Sequence, residues 1–430
     1  MTVPRRHRRP RAPRPGGADV CEEESPLNRP APWVRPAAVL FGVGYGANQF
    51  SPLMVAYREQ GHHSSTAVAA FFGVYVLGLV PGLLLGGPAS QRWGRRRVLL
   101  PAAALAVPAS AVLAAGGGAE LLLHAGRLLA GLSMGVAMAV ATTWVKELSA
   151  EGGARRAALA TTLGFGSGPL VGGLLAQYAP WPTVLPYLVH VLIMVPVLAA
   201  LRRAPETVFP DPGGGPLWRA LRVPAVTDPR FVRLVLPAAP WVFGAAALAY
   251  AVQPDLLAPG SHGLLVATGL TTVSLAVGFG AQSLARTVER RGGEQAVVRA
   301  GLALVIGGTL VTVPVAVTAS VPVAFAAAAL LGAGYGFVLL AGLQQVQRIA
   351  PPGQLAGLTA VFYSATYLGF LLPVALAALS GAAVRAWPGG LGVPGAGYPV
   401  LLLGVAAVQG LCLVPVWRGV RRPAPEPVGV

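Results

Sequence analysis

Residues 66–89 have the sequence TAVAAFFGVYVLGLVPGLLLGGPA and contain no charged side chain. A helix needs about 20 mostly apolar residues to cross the roughly 30 Å of hydrocarbon in a bilayer. A lone segment in lipid must also satisfy its backbone hydrogen bonds internally, which a helix does. This stretch therefore predicts a membrane-spanning helix.

Eleven further apolar stretches accompany this one and fill most of the chain. The predicted spans 1 to 12 cover residues 37–57, 66–89, 98–115, 121–146, 157–177, 184–201, 231–254, 263–284, 297–317, 322–347, 355–379 and 396–417. Only 11% of the residues are charged, against about 25% in soluble proteins. We predict an all-α integral membrane protein with twelve transmembrane helices, lying in a bacterial plasma (inner) membrane.

The basic residues predict how the chain is oriented. The net charge of +17 would suggest nucleic acid in a soluble protein, but these charges lie in short loops between spans, so we expect no nucleic-acid partner. Of the 32 basic residues, 29 lie on the side of the N-terminus, two on the other side (Arg58 and Arg385), and Arg127 lies within a span. Cytoplasmic loops carry the excess of Arg and Lys, which places both termini in the cytoplasm.

The longest connection between spans divides the chain into two halves. We predict a disordered basic cytoplasmic tail (1–36), an N-terminal six-helix lobe (37–201), a cytoplasmic linker (202–230), a C-terminal six-helix lobe (231–417) and a cytoplasmic tail (418–430).

The two halves share a weak repeat of glycines. Gly131 and Gly135 in span 4 align with Gly332 and Gly336 in span 10 at an offset of 201, and the same offset aligns Gly168 with Gly369. Parallel repeats are typical of transporters with a substrate site between the halves. Glycine is abundant, with 56 residues, so a chance alignment is the alternative.

The loop after span 2 carries a basic motif, GPASQRWGRRR at residues 87–97. It is a short turn with four cations, which alone would serve as a positive anchor on the cytoplasmic side. Its spacing resembles the helix 2–3 signature of the major facilitator superfamily, Gly-x-x-x-Asp-Arg-x-Gly-Arg-Arg. The matching residues are Gly87, Arg92, Gly94, Arg95 and Arg96. The resemblance implies that the arginines hold a cytoplasmic gate between the lobes. Gln91 replaces the acidic residue of the family and cannot form an ion pair, which implies a weaker latch or another partner.

Span 4 contains Arg127, followed by Gly131 and Gly135 on the same helix face. An Arg at the centre of a span costs about 2.5–3.5 kcal/mol on insertion scales, so it is expected to face a cavity or a partner. The alternative is that Arg127 snorkels to the membrane surface. The Arg-x-x-x-Gly-x-x-x-Gly run resembles the family's helix 4 signature, whose Arg is linked to proton transfer or substrate binding.

Span 5 contains the sequence GFGSGPLVGG at residues 164–173. Small residues at this spacing let helices approach closely, so packing alone would explain the glycines. The pattern also resembles the signature of the family's drug/proton antiporters, and the resemblance implies export. The matching residues are Gly164, Gly168, Pro169, Gly172 and Gly173.

Polar residues inside spans are candidates for lining a substrate cavity. They are Tyr45, Asn48, Gln49, Arg127, Gln344, Gln345, Tyr363 and Tyr367. No Asp or Glu lies near the middle of any predicted span, although proton exchange needs a titratable carrier. The candidates for coupling are His124, Glu147 and Asp255, with His190 and Glu59 as further possibilities.

These observations predict a secondary active transporter that works by alternating access. We expect it to act as a monomer without a cofactor or metal ion and to export an amphipathic or aromatic small molecule. Coupling to protons is left open. One alternative is a uniporter or importer of a small metabolite without proton coupling, and another is a membrane sensor or assembly partner that does not transport. We predict no enzymatic activity, because the sequence has no recognisable nucleophile–base or metal-ligand cluster.

Overall fold

The computed structural model describes residues 31–59, 63–209, 217, 221–257, 262–351, 353–386 and 397–418, and within these ranges it is helical with no β-strand. The predicted disordered tail lies almost wholly outside the described residues, as do 419–430 at the C-terminus and 210–216 in the linker.

A helical segment stands at each of the six predicted spans of the N-terminal half. The helices are Val34–Asn48 and Phe50–Glu59 (span 1), Ser65–Trp93 (span 2), Arg95–Ala104 and Ala106–Ala115 (span 3), Glu120–Glu147 (span 4), Gly153–Tyr178 (span 5) and Leu185–Leu201 (span 6).

The C-terminal half is built in the same way. Its helices are Phe231–Leu256 (span 7), Gly263–Thr318 (spans 8 and 9), Val321–Ile349 (span 10), Leu355–Gly381 (span 11) and Tyr398–Arg418 (span 12). Span 7 includes π-helical turns at Phe231–Val235 and Leu248–Val252, and span 11 includes a 3-10 turn at Leu368–Leu371.

Length and apolar composition qualify nine helices of the described chain to cross a membrane. These nine cover ten predicted spans, because Gly263–Thr318 contains two of them. Span 6 is a shorter apolar helix, and span 1 is divided into two helices. The helices confirm the prediction of an all-α membrane protein.

Prolines explain two helix interruptions that apolar length alone does not predict. Span 1 breaks after Asn48 and span 3 breaks after Ala104. Each break lies four residues before a proline, Pro52 or Pro108. Proline has no N–H to donate to the carbonyl four residues earlier, so the helical ladder is interrupted there.

The boundary between spans 8 and 9 also differs from the prediction of two separate helices. The helical segment is continuous from Gly263 to Thr318, but Gly293 leaves the helical region with φ 75° and ψ −179°. Only glycine adopts such a positive φ readily. The chain therefore changes direction at Gly293, and two helices are joined there without an intervening loop.

The glycines of the predicted repeat make equivalent close approaches in the two halves. A Cβ at Gly131 would meet the Tyr75 carbonyl oxygen of span 2, and one at Gly332 would meet the Ser274 carbonyl oxygen of span 8. Spans 4 and 10 therefore pack against backbone at corresponding positions.

The same equivalence holds for the third pair of glycines. A Cβ at Gly168 would meet backbone of span 1 at Tyr45, and one at Gly369 would meet backbone of span 7 at Pro240 and Gly244. Spans 1 and 7 are the first spans of the two halves. These paired contacts agree with an internal repeat rather than a chance alignment of glycines.

Candidate functional site

Arg127 of span 4 is buried inside the bundle, with only 1% of its surface exposed. Its Nε donates to the Phe71 carbonyl oxygen at 3.2 Å, and its Nη1 donates to the Ala47 carbonyl oxygen at 3.3 Å. Ala47 lies beside the break in span 1, and Phe71 lies in span 2. Arg127 therefore points into the bundle, and the snorkelling alternative does not describe its position.

Aromatic rings surround the Arg127 guanidinium. Its Cζ lies 4.3 Å from the centre of the Phe50 ring, 4.4 Å from that of Tyr75 and 5.8 Å from that of Phe72. Ring faces attract a cation through their quadrupole. These rings stabilise the charge in part but carry no opposite charge of their own.

A narrow cavity lies between the two halves beside Arg127. It is lined by Ala47, Asn48, Phe72, Tyr75, Arg127, Phe165, Phe243, Tyr367 and Phe370. Its volume is about 10 Å³, which is room for about one water molecule. Both halves contribute side chains to it, and no Asp or Glu is among these lining residues.

An aromatic layer closes this cavity and joins the halves. The Phe72 ring of span 2 lies 4.6 Å from the Phe370 ring of span 11, and Phe243 of span 7 stacks on Tyr367 at 4.2 Å. Phe243 also lies 5.1 Å from Phe370. Packed ring pairs of this kind stabilise by about 0.5–1.5 kcal/mol each beyond their buried area.

One end of the bundle holds the loops after odd-numbered spans and is the predicted outer end. An ion pair joins the two halves there. Arg58 at the end of span 1 contacts Asp255 at the end of span 7, and both side chains are 16% exposed. Ser65 at the start of span 2 donates to Asp255 Oδ1 at 3.1 Å. Asp255, predicted as a coupling candidate, thus bridges the halves.

We predict that Asp255→Asn weakens the closure of the predicted outer end. Removing one charge of a partly buried pair costs about 1–3 kcal/mol, between the limits for exposed and buried pairs, which corresponds to about a 5- to 150-fold change in a two-state population. Spin labels at the ends of spans 1 and 7 would report a larger population of long distances.

Glu59→Gln is the matched control for this prediction, because it removes a neighbouring carboxylate and keeps the Arg58–Asp255 pair. The exchanged double variant Arg58→Asp with Asp255→Arg is expected to restore the short distances. Identical distance distributions in Asp255→Asn and the unmodified protein would contradict the prediction.

The basic motif after span 2 is organised around Arg95. Gly94 adopts φ 98°, a conformation that favours glycine, and starts span 3. Arg95 is 2% exposed and forms a bidentate pair with Glu147 of span 4, with distances of 3.2 Å from Nε and 2.7 Å from Nη2. Its Nη1 donates to Ser90 Oγ at 2.6 Å.

Glu206 holds the beginning of the linker against the same motif. Its carboxylate accepts from the backbone N–H of Arg95 at 2.8 Å and of Arg96 at 2.9 Å. A carboxylate at a helix N-terminus satisfies free N–H groups and complements the helix dipole. Arg96 in turn donates to the Arg202 carbonyl oxygen at 3.1 Å. These partners of Arg95 and Arg96 belong to the N-terminal half and the start of the linker.

The remaining motif residues are more exposed. Gln91 is exposed, and the Arg92 guanidinium lies 5.8 Å from the centre of the Trp93 ring. A Cβ at Gly87 would meet nothing within 4 Å.

The glycines of the span 5 motif contact two different spans. Cβ atoms at Gly164, Gly168 and Gly172 would meet span 1 at Phe41, Tyr45 and Gln49. A Cβ at Gly173 would instead meet the Thr268 side chain of span 8, in the other half. Pro169 is buried between these glycines. Span 5 thus packs closely against span 1 and also touches the C-terminal half.

Three of the eight predicted cavity residues line the cavity: Asn48, Arg127 and Tyr367. Tyr45 instead stacks on His190 at 5.9 Å, and Gln49 is fully buried beside Gly172. Tyr363 is half-buried next to Phe362.

Gln344 and Gln345 lie near the C-terminal end of span 10. Gln344 donates to Glu289 at 2.8 Å, and Gln345 donates to Glu294. Arg348 pairs with both carboxylates. This cluster joins span 10 to the segment between spans 8 and 9.

Among the other coupling candidates, Glu147 pairs with Arg95 and His124 lies near the predicted outer end. His124 Nδ1 is 2.7 Å from the Glu120 carbonyl oxygen, and its ring packs edge-on against Phe71 at 4.7 Å.

His190 is buried between two uncharged partners. Its Nε2 is 3.0 Å from the Gly42 carbonyl oxygen, and its Nδ1 is 2.6 Å from Ser110 Oγ. A carbonyl oxygen only accepts, so Nε2 carries the proton, and in a neutral imidazole the Ser110 hydroxyl donates to Nδ1. This arrangement suits a neutral imidazole with a structural role.

The phenylalanines of the cavity are not among the predicted residues, because the prediction rested on polar side chains inside spans. A signal was present: Phe72 with Tyr75, and Tyr367 with Phe370, are aromatic pairs three residues apart in spans 2 and 11. Such pairs share a helix face, and both faces meet at the cavity.

Known proteins share both sequence and fold with this chain. Residues 36–374 match the sequence model of the Major Facilitator Superfamily. The multidrug efflux pump LfrA of Mycolicibacterium smegmatis is 35% identical over 161 residues, which are 36% of this chain and 31% of that protein. The match thus spans about a third of the relative's own length.

Two solved structures show the same fold at low sequence identity. A mutant of the nucleoside transporter NupG aligns with a TM-score of 0.70 and 11% identity, covering 90% of this chain and 99% of that one. An auto-inhibited peptide transporter of the POT family aligns with a TM-score of 0.69 and 14% identity, and the alignment covers 93% of this chain and 99% of that one. The family match extends over most of the chain and includes the basic motif, Arg127 and the span 5 glycines. The chain is a multi-pass membrane transporter that belongs to the Major Facilitator Superfamily.

Proposed function

We propose that the protein exports amphipathic or aromatic small molecules across the plasma membrane by alternating access. The cavity beside Arg127 carries this proposal, because side chains from both halves line it. Two lobes, 37–201 and 231–417, would rock about this site and open it to one face at a time. The motif of span 5 and the similarity to a protein named as a multidrug efflux pump support the direction of export.

The contacts between the halves support a state that is closed at one end. The Arg58–Asp255 pair and the packing of Gly173 on Thr268 lie toward the predicted outer end. The positive-inside rule places the termini in the cytoplasm. In this state the outer end is closed, and export would require the Arg58–Asp255 pair and the aromatic layer to separate.

Accumulation measurements test the proposed export. Cells that produce the protein are expected to accumulate less of several aromatic dyes and antibiotics than matched cells without it. Both cell populations should be loaded with equal amounts of dye. In a control in which the cells' energy supply is abolished, the difference in accumulation is expected to disappear. Equal accumulation across a broad panel would remove export of such compounds as the function.

A uniporter or importer without proton coupling is the second candidate. It is favoured because the described lining of the cavity contains no carboxylate, and because Glu147 and Asp255 are both engaged in ion pairs. Vesicles that contain the purified protein and an imposed proton gradient separate the two. Substrate flux driven opposite to the proton gradient supports antiport, and flux that ignores the gradient supports the uncoupled transporter.

A sensor or assembly partner without transport is disfavoured by the site itself. A buried arginine is costly in a membrane, and Arg127 faces a cavity between the halves. A protein that no longer moved a substrate would gain stability by replacing it.

A further inference from the structure

The charge of the central cavity indicates what kind of molecule it accepts. Arg127 is the one charged residue among those that line it. Five acidic residues in and near the spans are engaged elsewhere: Glu147 with Arg95, Asp255 with Arg58, Glu120 with His63, and Glu289 and Glu294 with Arg348. In the part of the chain that the structure describes, Arg127 has no carboxylate partner.

The hydrogen bonds of Arg127 leave much of its donor capacity unused. A guanidinium has five N–H donors, and two of them reach carbonyl oxygens, at 3.2 and 3.3 Å. A buried charge is stable when it is paired and fully hydrogen-bonded. The cavity therefore has a cation at its wall whose missing partner is an anion.

A second polar group on the opposite wall also lacks a partner. Tyr367 of span 11 is buried, and its hydroxyl has no hydrogen bond among the described residues. Both Tyr367 and Arg127 line the cavity, one from each half. The cavity thus has hydrogen-bond donors on the walls that both halves contribute.

The remainder of the wall is aromatic. Phe72, Phe165, Phe243 and Phe370 line the cavity and offer ring surfaces to an apolar body. Aromatic rings pack favourably on other rings in offset or edge-on arrangements. The space is now too small for such a molecule, so it would enter when the halves move apart.

We propose that the cargo of this transporter is an aromatic organic anion, whose carboxylate pairs with Arg127 and whose rings pack against the phenylalanines. This inference rests on the proposed function and gives it a substrate class. Charge-assisted pairs of Arg with carboxylate are frequently bidentate and are among the stronger polar contacts in proteins. A cationic drug would meet Arg127 with like charge and no acid to offset it.

Equilibrium binding to the purified protein in detergent tests the charge preference directly. The probes are 1-naphthoate, 1-naphthamide and 1-naphthylmethylammonium, which share one ring system and differ in charge. We expect naphthoate to bind most tightly, with an affinity at least about tenfold above that of the amide. The ammonium compound is expected to bind most weakly. Equal affinities, or a preference for the ammonium compound, would overturn the proposal.

Variants assign the preference to its residue. Arg127→Lys keeps the charge and is expected to retain the order, whereas Arg127→Gln is expected to remove the difference between naphthoate and the amide. Arg155→Gln, an exposed arginine near the start of span 5, is the control and should bind as the unmodified protein does. A charge preference that persists in folded Arg127→Gln overturns the assignment to this residue.

An inorganic anion is the remaining alternative occupant of the cavity. Replacing gluconate with chloride in the buffer should change the affinity for naphthoate by no more than about twofold, because a ring-bearing anion gains contacts that chloride lacks. Binding of chloride with no binding of naphthoate would overturn the organic-anion proposal. These measurements need no flux, so failure of export in cells and failure of the charge preference are observed independently.

Discussion

A Glu147→Gln variant is expected to lose about 3 kcal/mol of unfolding free energy, near the lower end for breaking a buried ion pair. The reason is that Arg95 is 2% exposed and has Glu147 as its charged partner, whereas Glu147 is 30% exposed. Glutamine keeps one oxygen acceptor but turns an amide N–H₂ toward the guanidinium. Thermal unfolding of the purified protein, followed by tryptophan fluorescence, would report the loss as a lower midpoint.

The control for this variant is Glu151→Gln, which removes an exposed carboxylate four residues away. The single variant Arg95→Gln and the double variant Arg95→Gln with Glu147→Gln complete a cycle that isolates the pair. The double variant is the informative comparison. It should be more stable than Glu147→Gln alone, because it leaves no buried charge without a partner. An unchanged midpoint in Glu147→Gln would contradict this account.

The same variant distinguishes a structural role of Glu147 from a role in coupling. The bidentate contact with Arg95 supports the structural role. Unfolding at a lower temperature with an unchanged response to a proton gradient agrees with that role. A stable protein that has lost its gradient response would instead make Glu147 the proton carrier.

The sequence predicted the features that follow from one helix at a time. Apolar length located the spans, and the i, i+4 spacing of Gly131 and Gly135 predicted that they share a face. The structure adds that this face packs against the backbone of span 2. The interruption of span 1 was also predictable in principle, because Pro52 has no backbone N–H to donate to the Asn48 carbonyl oxygen.

Features that join distant spans had no comparable signal. Arg58 and Asp255 lie almost 200 positions apart at the ends of two helices, and their pairing depends on how spans 1 and 7 are arranged. The aromatic layer requires spans 2, 7 and 11 to meet at one depth. Periodicity within a helix carries no information about which helix lies opposite.

Gly168→Val is expected to prevent correct packing of span 5 on span 1, at a cost of about 3 kcal/mol or more, the upper end for overpacking. A Cβ at this position would lie 3.0 Å from the Tyr45 Cα and closer still to the Tyr45 carbonyl oxygen. Backbone atoms cannot move aside as a side chain can. The measurement is the yield of monodisperse protein on size exclusion in detergent, together with the thermal midpoint.

Gly166→Val is the matched control, because it lies two residues away in the same helix and a Cβ there would meet nothing within 4 Å. Both variants introduce the same β-branched residue into one helix, so the change in helix propensity is nearly equal in the two. Their difference therefore measures the close approach alone. Gly369→Val is expected to behave like Gly168→Val, since a Cβ there would meet backbone of span 7 at Pro240 and Gly244. Equal stability of Gly166→Val and Gly168→Val would mean that span 5 does not pack on span 1 as closely as the structure has it.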